Sequence, residues 1–243
     1  MRLDERSVHL WYVHQDALVD RHLLDAYVEL LSHDERARWQ RLRAAAARHA
    51  YLVAHALLRT TLSRYADVAP RRWAFVCNEH GRPEIVASPG APPLRFSLSH
   101  TTGLVACGVA LGRAIGVDVE DTRRRGGTVA LADRFFSPLE VAALRELPRE
   151  ARRARFFEYW TLKESYLKAR GVGLSLPLDR FSFHVEPDCP VRVSFDSRLP
   201  DEPASWQFNS FRPTSRHQMA VGVHRGGDPD LTVHLMATVP GRG

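Results

Sequence analysis

Leu104-Val-Ala-Cys-Gly-Val-Ala-Leu-Gly-Arg-Ala-Ile-Gly-Val-Asp-Val-Glu-Asp121 is the stretch on which the reading of the fold turns. Two apolar runs, residues 104–110 and 114–120, flank Leu111-Gly112-Arg113, a spacing that predicts a hairpin. Side chains alternate along an extended run, so Gly116, Asp118 and Glu120 share one face while Ile115, Val117 and Val119 pack into the other. Two carboxylates side by side on a sheet repel unless protons or a cation intervene. A hard cation such as Mg²⁺ suits them, because it takes oxygen ligands and keeps water and substrate phosphate in its shell. A solvated edge strand bearing two acids is the alternative.

Outward from this stretch, each half of the chain offers helix and then strands. On the N-terminal side, residues 8–14 read as a strand. Ser32 is placed to N-cap a helix with Glu35 at the capping-box position. Leu42, Ala46, His49, Leu52, Val53, Ala56 and Leu57 continue a helical spacing to about residue 65, and Pro70 closes it. Short strands at 73–77 and 94–98 follow, with a turn at Glu79-His80-Gly81-Arg82-Pro83 between them. On the C-terminal side, Ser137 and Pro138 open a helix, and a second helix over 152–170 stops at Gly171. Alternating runs at 181–185, 191–195, 206–211, 219–223 and 231–236 read as strands. The expectation is an α+β (α/β) fold of two similar lobes, 1–112 and 113–243, although no repeat is visible in the sequence itself.

With 243 residues, 44% hydrophobic and 26% charged, the chain has the ordinary globular mix, which excludes wholesale disorder. The longest apolar stretch, 104–112, is far short of the roughly 20 residues that span a bilayer, so no membrane partner is expected. The N-terminus, Met1-Arg2-Leu3-Asp4-Glu5-Arg6, carries acids and lacks an apolar core, so it does not read as a secretory signal. Three widely spaced cysteines fit no disulfide framework, and the expected compartment is the cytoplasm. A surplus of 34 Lys+Arg over 28 Asp+Glu, net +6, attracts something anionic: nucleic acid, a phosphate-rich small molecule or an acidic protein. Acids and bases are interspersed and no RRM, helix-turn-helix or zinc-finger pattern occurs, which weighs against a basic nucleic-acid-binding protein.

Two further motifs carry chemistry. In Phe156-Phe-Glu-Tyr-Trp160-Thr-Leu-Lys163-Glu164-Ser-Tyr-Leu-Lys168-Ala169, helical spacing sets Trp160, Glu164 and Lys168 one turn apart, with Lys163 beside them at the border of the core. Glu164 and Lys168 read either as an ordinary i,i+4 ion pair or as a third carboxylate for the Asp118/Glu120 cation, flanked by lysines for phosphate oxygens. In Phe96-Ser-Leu-Ser99-His100, a hydroxyl and an imidazole at a strand end can both donate to phosphate. Neighbouring strand positions point apart and no GxSxG elbow is present, which disfavours a serine hydrolase. Glycine-rich phosphate loops and HExxH are absent as well.

Taken in order, Phe-Ser-Leu-Ser-His (96–100), Ile-Gly-Val-Asp-Val-Glu (115–120), Arg134-Phe-Phe-Ser137 with Glu140, Trp160-Thr-Leu-Lys163-Glu164-Ser-Tyr-Leu-Lys168-Ala169 and the tail Gly171-Val-Gly173-Leu-Ser-Leu-Pro177 resemble the Sfp-type 4′-phosphopantetheinyl transferases. The resemblance runs from about residue 30 to 225. It implies two lobes with pseudo-twofold symmetry and a cleft for coenzyme A and Mg²⁺. It also implies transfer of the phosphopantetheine arm to a serine of an apo acyl, peptidyl or aryl carrier protein of fatty acid, polyketide or nonribosomal peptide pathways, releasing 3′,5′-ADP. Position by position, Asp118, Glu120 and Glu164 would ligate the metal, and Lys163 and Lys168 would neutralise the pyrophosphate. Ser99, His100, Arg38, Arg48 and Arg82 would contact coenzyme A. Glu164 is the first candidate for the general base and Glu140 the second, with Lys168 as the acid. The basic loop over residues 122–128, with Arg123-Arg124-Arg125, would steer an acidic carrier helix or is simply a solvated loop, and the chain would act as a monomer. A non-catalytic carrier-protein-binding pseudoenzyme is the competing reading; the three retained carboxylates weigh against it.

Overall fold

The structure, a computed structural model, describes residues 3–87, 90–125 and 129–242. Residues 126–128 of the basic loop and residues 1–2 of the N-terminus lie outside the described residues, as do the side chains of Val129 and Leu174. The elements in chain order are β1 (Ser7–His14), α1 (Arg21–Val28), α2 (His33–Arg41), α3 (Ala45–Leu62), β2 (Phe75–Cys77), β3 (Pro83–Ile85), β4 (Leu94–Thr101), β5 (Leu104–Leu111), β6 (Ile115–Asp121), α4 (Val129–Phe135), α5 (Pro138–Glu146), α6 (Arg149–Arg170), β7 (Phe181–His184), β8 (Arg192–Phe195), β9 (Trp206–Thr214), β10 (His217–His224) and β11 (Thr232–Ala237). This is a mixed α+β chain of two compact units, Met1–Gly112 with Thr232–Gly243, and Arg113–Leu231. No helix among the described residues is long and apolar enough to cross a membrane.

The first unit is a sheet of order β11-β1-β5-β4. Leu52, Val53, Ala56 and Leu57 of α3 bury against Trp11, Val13, Val105 and Val109 of its strands. The helix expected to run from Ser32 to about residue 65 is broken. Ser32 does cap α2 with a complete capping box to Glu35, but Leu42 turns extended (ψ 119°) and ends it. The Trp39 indole donates to the Arg48 carbonyl at 3.1 Å, folding α2 back on the start of α3. The alanine run at 44–47 favours helix throughout, so nothing in it announces the break.

The second unit has a sheet of order β6-β10-β9 and a separate ribbon, β7-β8. Two sequence expectations are corrected here. The run 104–121 is not a hairpin: β5 lies between β1 and β4, while β6 pairs antiparallel with β10 from Ile115↔Val223 to Asp121↔His217. Residues 112–114 carry the chain from one sheet to another, and an apolar run, a glycine and a second apolar run look alike in either case. Nor does the C-terminal lobe extend to residue 243. β11 pairs parallel with β1 and completes the first unit's sheet, a long-range partnership that no local pattern announces. With β11 set aside, both units run strand, three helices, two-stranded ribbon and hairpin, and their strand orders correspond, β1-β5-β4 against β6-β10-β9.

Candidate active site

The site begins with a glycine. A Cβ on Gly116 would overlap the backbone oxygen of Ser165 and the backbone nitrogen of Ala169, and one on its cross-strand neighbour Gly222 would run into the Phe208 ring. Only glycine at 116 lets α6 lie this close on β6. The same face of β6, two residues on, carries Asp118, whose Oδ1 lies 2.7 Å from Lys168 Nζ of α6. Two further on is Glu120, whose Oε1 lies 3.0 Å from the Arg124 guanidinium. Glu164 stands one helical turn before Lys168.

The three carboxylates share one electrostatic field. Burial pushes Glu120 up to about 7; Asp118 and Glu164 add to the rise, and Arg124 and Lys168 oppose it. Burial and then Asp118 likewise raise Glu164, against the pull of Lys168. A carboxylate that burial and like charges make costly to ionise is a group waiting for positive charge. Among the described residues, no group of three or more His, Cys, Asp or Glu side chains is set as a ready metal site. Asp118 and Glu120 turn toward Lys168 and Arg124 instead.

Residues that the sequence reading missed hold this arrangement. Arg153 of α6 donates to the Thr122 carbonyl at 2.6 Å and to that of Arg124, fixing the loop that follows β6. Arg124 lies over the Phe157 ring at 5.4 Å, so it belongs to the carboxylate cluster. Arg123 and Arg125 are exposed. Gln218, opposite Glu120 in the ladder, is buried and donates to Ser210 at 2.7 Å. Its position follows from strand pairing, which the sequence does not display.

Two expected site residues lie deeper than their spacing suggests. Lys163 is not at the border of the core: its side chain is 0% exposed and its Nζ meets Glu140 at 2.8 Å and the carbonyls of Leu178 at 2.7 Å and Phe181 at 2.6 Å. All three partners of its ammonium are protein oxygens. Glu140 is equally buried and saturated, accepting from Ser137 N, Ser137 Oγ, Phe183 N and Lys163. Lys163 follows the 100° step of the helix away from Glu164 and into the apolar side.

The other expected site residues belong to the first unit. On β4, Ser99 is buried and His100 exposed. The half-buried Arg82 donates to the Phe96 carbonyl at 3.4 Å, and its burial lowers its proton affinity. Arg38 on α2 and Arg48 in the first turn of α3 are exposed. Glu35 is committed to structure, bonded to Arg59 and to the Ser32 amide.

The profile of the 4′-phosphopantetheinyl transferase superfamily matches residues 114–222, the part of the chain that holds all three carboxylates. The 4′-phosphopantetheinyl transferase HetI of Nostoc sp. is 35% identical over 187 residues, covering 77% of this chain and 78% of that protein. The chain belongs to the 4′-phosphopantetheinyl transferase superfamily. A 4′-phosphopantetheinyl transferase of Bacillus subtilis is 30% identical over 81% of this chain and 84% of its own length. The 4′-phosphopantetheinyl transferase Sfp of Bacillus subtilis (strain 168) is 27% identical over 92% and 96%. As a 4′-phosphopantetheinyl transferase superfamily member, the chain has its profile match starting one residue before β6 and ending at Gly222, so the match and the glycine-dependent seating of α6 coincide.

Proposed function

We propose that this protein moves the 4′-phosphopantetheine arm of coenzyme A onto a serine hydroxyl of an apo acyl or peptidyl carrier protein. The observation that supports the reading best is the seating of Asp118, Glu120, Glu164 and Lys168 in one cluster on the face where α6 meets β6. The serine oxygen attacks the β-phosphorus, the P–O bond to the nucleotide breaks, and 3′,5′-ADP leaves with the bridging oxygen. Charge builds on the phosphate oxygens, and fixed donors stabilise it without covalent participation by the protein.

Glu164 is the base we assign to the serine proton, taken directly or through a water. Lys168 donates toward the departing nucleotide oxygen. The donor set fits a hard divalent cation: three carboxylates, all oxygen, with raised proton affinity at two of them. Asp118, Glu120 and Glu164 would hold Mg²⁺, which supplies Lewis-acid neutralisation of phosphate charge. Ser99, His100, Arg82, Arg38 and Arg48 are proposed contacts to the phosphates and base of coenzyme A. The proposed setting is a cytoplasmic monomer serving fatty acid, polyketide or nonribosomal peptide carriers.

The test is incubation of the purified chain with coenzyme A and a panel of apo carrier proteins, read by mass spectrometry. A mass gain of one phosphopantetheine on at least one carrier, abolished by EDTA and restored by Mg²⁺, is expected. No gain on any carrier, by protein that is folded, overturns the reading.

A further inference from the structure

The buried pair Glu140–Lys163 has a counterpart in the other unit. Ser137 caps α5 and Glu140 closes its capping box; Ser32 caps α2 and Glu35 closes its capping box. Each of these glutamates accepts from a cation on the following long helix of its unit, Lys163 of α6 at 2.8 Å and Arg59 of α3 at 2.7 Å. Each cation then reaches two backbone carbonyls. One belongs to the first residue of a single 3-10 turn, Leu178 or Pro70, and the other to the residue that ends it, Phe181 or Trp73. Both cations are essentially inaccessible, 0% and 1% exposed at the side chain. Three elements are thereby pinned to each other: the capped helix, the long helix and the segment leading into the ribbon.

The chemistry around the two clamps differs. One residue after Lys163 is Glu164, and five after it is Lys168 on Asp118. At the same offsets after Arg59 stand Thr60, whose hydroxyl donates to the Ala56 carbonyl, and Arg64, whose guanidinium lies over Trp11. The first unit therefore keeps the clamp without the carboxylate cluster. A device present where those carboxylates are missing serves the fold that both units share, and in the second unit it fixes the roll of the helix that carries Glu164 and Lys168.

We propose that Glu140 and Lys163 are positioning residues, a buried clamp that holds α6 in the orientation from which Glu164 and Lys168 meet Asp118, and that neither touches coenzyme A or the carrier serine. This deepens the transferase reading and rests on it, but its first test needs no turnover. The chain has two lysines, Lys163 and Lys168, so reductive methylation of the native protein read by peptide mass spectrometry reports each one separately. Lys168 is expected to label and to be protected by coenzyme A with Mg²⁺. Lys163 is expected to stay unlabelled with or without coenzyme A and to label only after denaturation. Labelling of native Lys163, with protection by coenzyme A, overturns the proposal whether or not any carrier is modified.

The second test is kinetic. Lys163→Met, assayed well below its unfolding temperature, should lose about 10²-fold in kcat, the scale of a misplacement near 1 Å, with the KM for coenzyme A changed by less than about twofold. Glu140→Gln should lower kcat without moving either limb of the pH–rate profile, since an amide at that position still serves the capping box. A large rise in KM with kcat retained makes Lys163 a ligand, and loss of a limb in Glu140→Gln makes Glu140 a base. A kcat per folded molecule equal to wild type in both variants makes the pair a support for stability alone. Each of these results refutes the positioning role.

Discussion

Replacing Glu35 by glutamine removes the anion of the first unit's clamp, together with its contact to His55 at 3.0 Å, and gives a stability change of known sign. Burial by itself pushes the Glu35 carboxyl up. The hydrogen bonds from His55 and the Ser32 amide, together with the charges of His55 and Arg59, more than reverse that and hold it at about 2, against an ordinary 4.5. A proton affinity depressed on folding means that the unfolded chain binds the proton first. The stabilisation is thus complete above pH 4.5 and is lost as the pH falls from there toward 2. The two values convert to about 3 kcal/mol at neutral pH, and the side chain is only 13% exposed, so solvent screening removes little of it. In Glu35→Gln the Arg59 guanidinium also stays buried without its anion, which sets the loss at about 3–5 kcal/mol. Urea unfolding of wild type and variant at steps between pH 7 and pH 2.5 measures the gap directly. It should be widest from pH 7 to 5 and shrink steadily below 4.5. A gap independent of pH, or one under about 1 kcal/mol at pH 7, would show that Glu35, with His55, the Ser32 amide and Arg59 as its partners, does not carry the charge-linked stability assigned to it.

The remaining predictions concern other parts of the chain. His9, held at about 4 chiefly by burial and then by His234, is neutral in the fold. Stability should therefore fall by about 3 kcal/mol as the pH drops from 6.5 toward 4, and a His9→Phe variant should lack that slope in thermal melts across this range. Gly116→Ala forces α6 off β6 and with it separates Lys168 from Asp118. About 1–3 kcal/mol of overpacking is expected in urea melts, with transfer activity reduced by more than the unfolded fraction explains; wild-type activity would show that the close approach does not matter to the site. Ending the chain at residue 231 removes β11, uncovers the edge of β1 and takes away the Pro240 carbonyl that accepts from buried Tyr27. The shortened protein should melt lower and self-associate in light scattering, as bare strand edges do.

What the sequence made legible was the local chemistry. Ser32-x-x-Glu35, Ser137 with Pro138, and Gly171 in a left-handed conformation (φ 68°) mark helix ends where capping predicts them. The alternation of Gly116, Asp118 and Glu120 places all three on the face that meets α6. Strand pairing was not legible. Leu104 to Leu111 and Ile115 to Asp121 are equally apolar whether they pair with each other or with strands far away in the chain, so the hairpin reading failed and β11 was set in the wrong unit. Lys163 failed for a related reason. Helical spacing places it beside Glu164 but cannot say whether a lysine at the edge of an apolar stripe reaches out to water or inward to an anion. That depended on Glu140, which lies on another helix.

The internal repeat shows how little sequence a shared architecture requires. Between the units the clamp cation is arginine in one and lysine in the other, and the residues five places later are Arg64 over an indole and Lys168 on a carboxylate. What persists is a serine cap with a glutamate three residues on, a buried cation from the next long helix, and two carbonyls of a 3-10 turn. The carbonyls are backbone, so two of the cation's three acceptors leave no trace in side-chain identity. Arg and Lys satisfy the same three acceptors by different geometries, a fork in one case and a compact ammonium in the other. A comparison of residue types therefore sees two unrelated halves, whereas a comparison of hydrogen-bond partners sees one design used twice, with the carboxylate cluster added to only one of them.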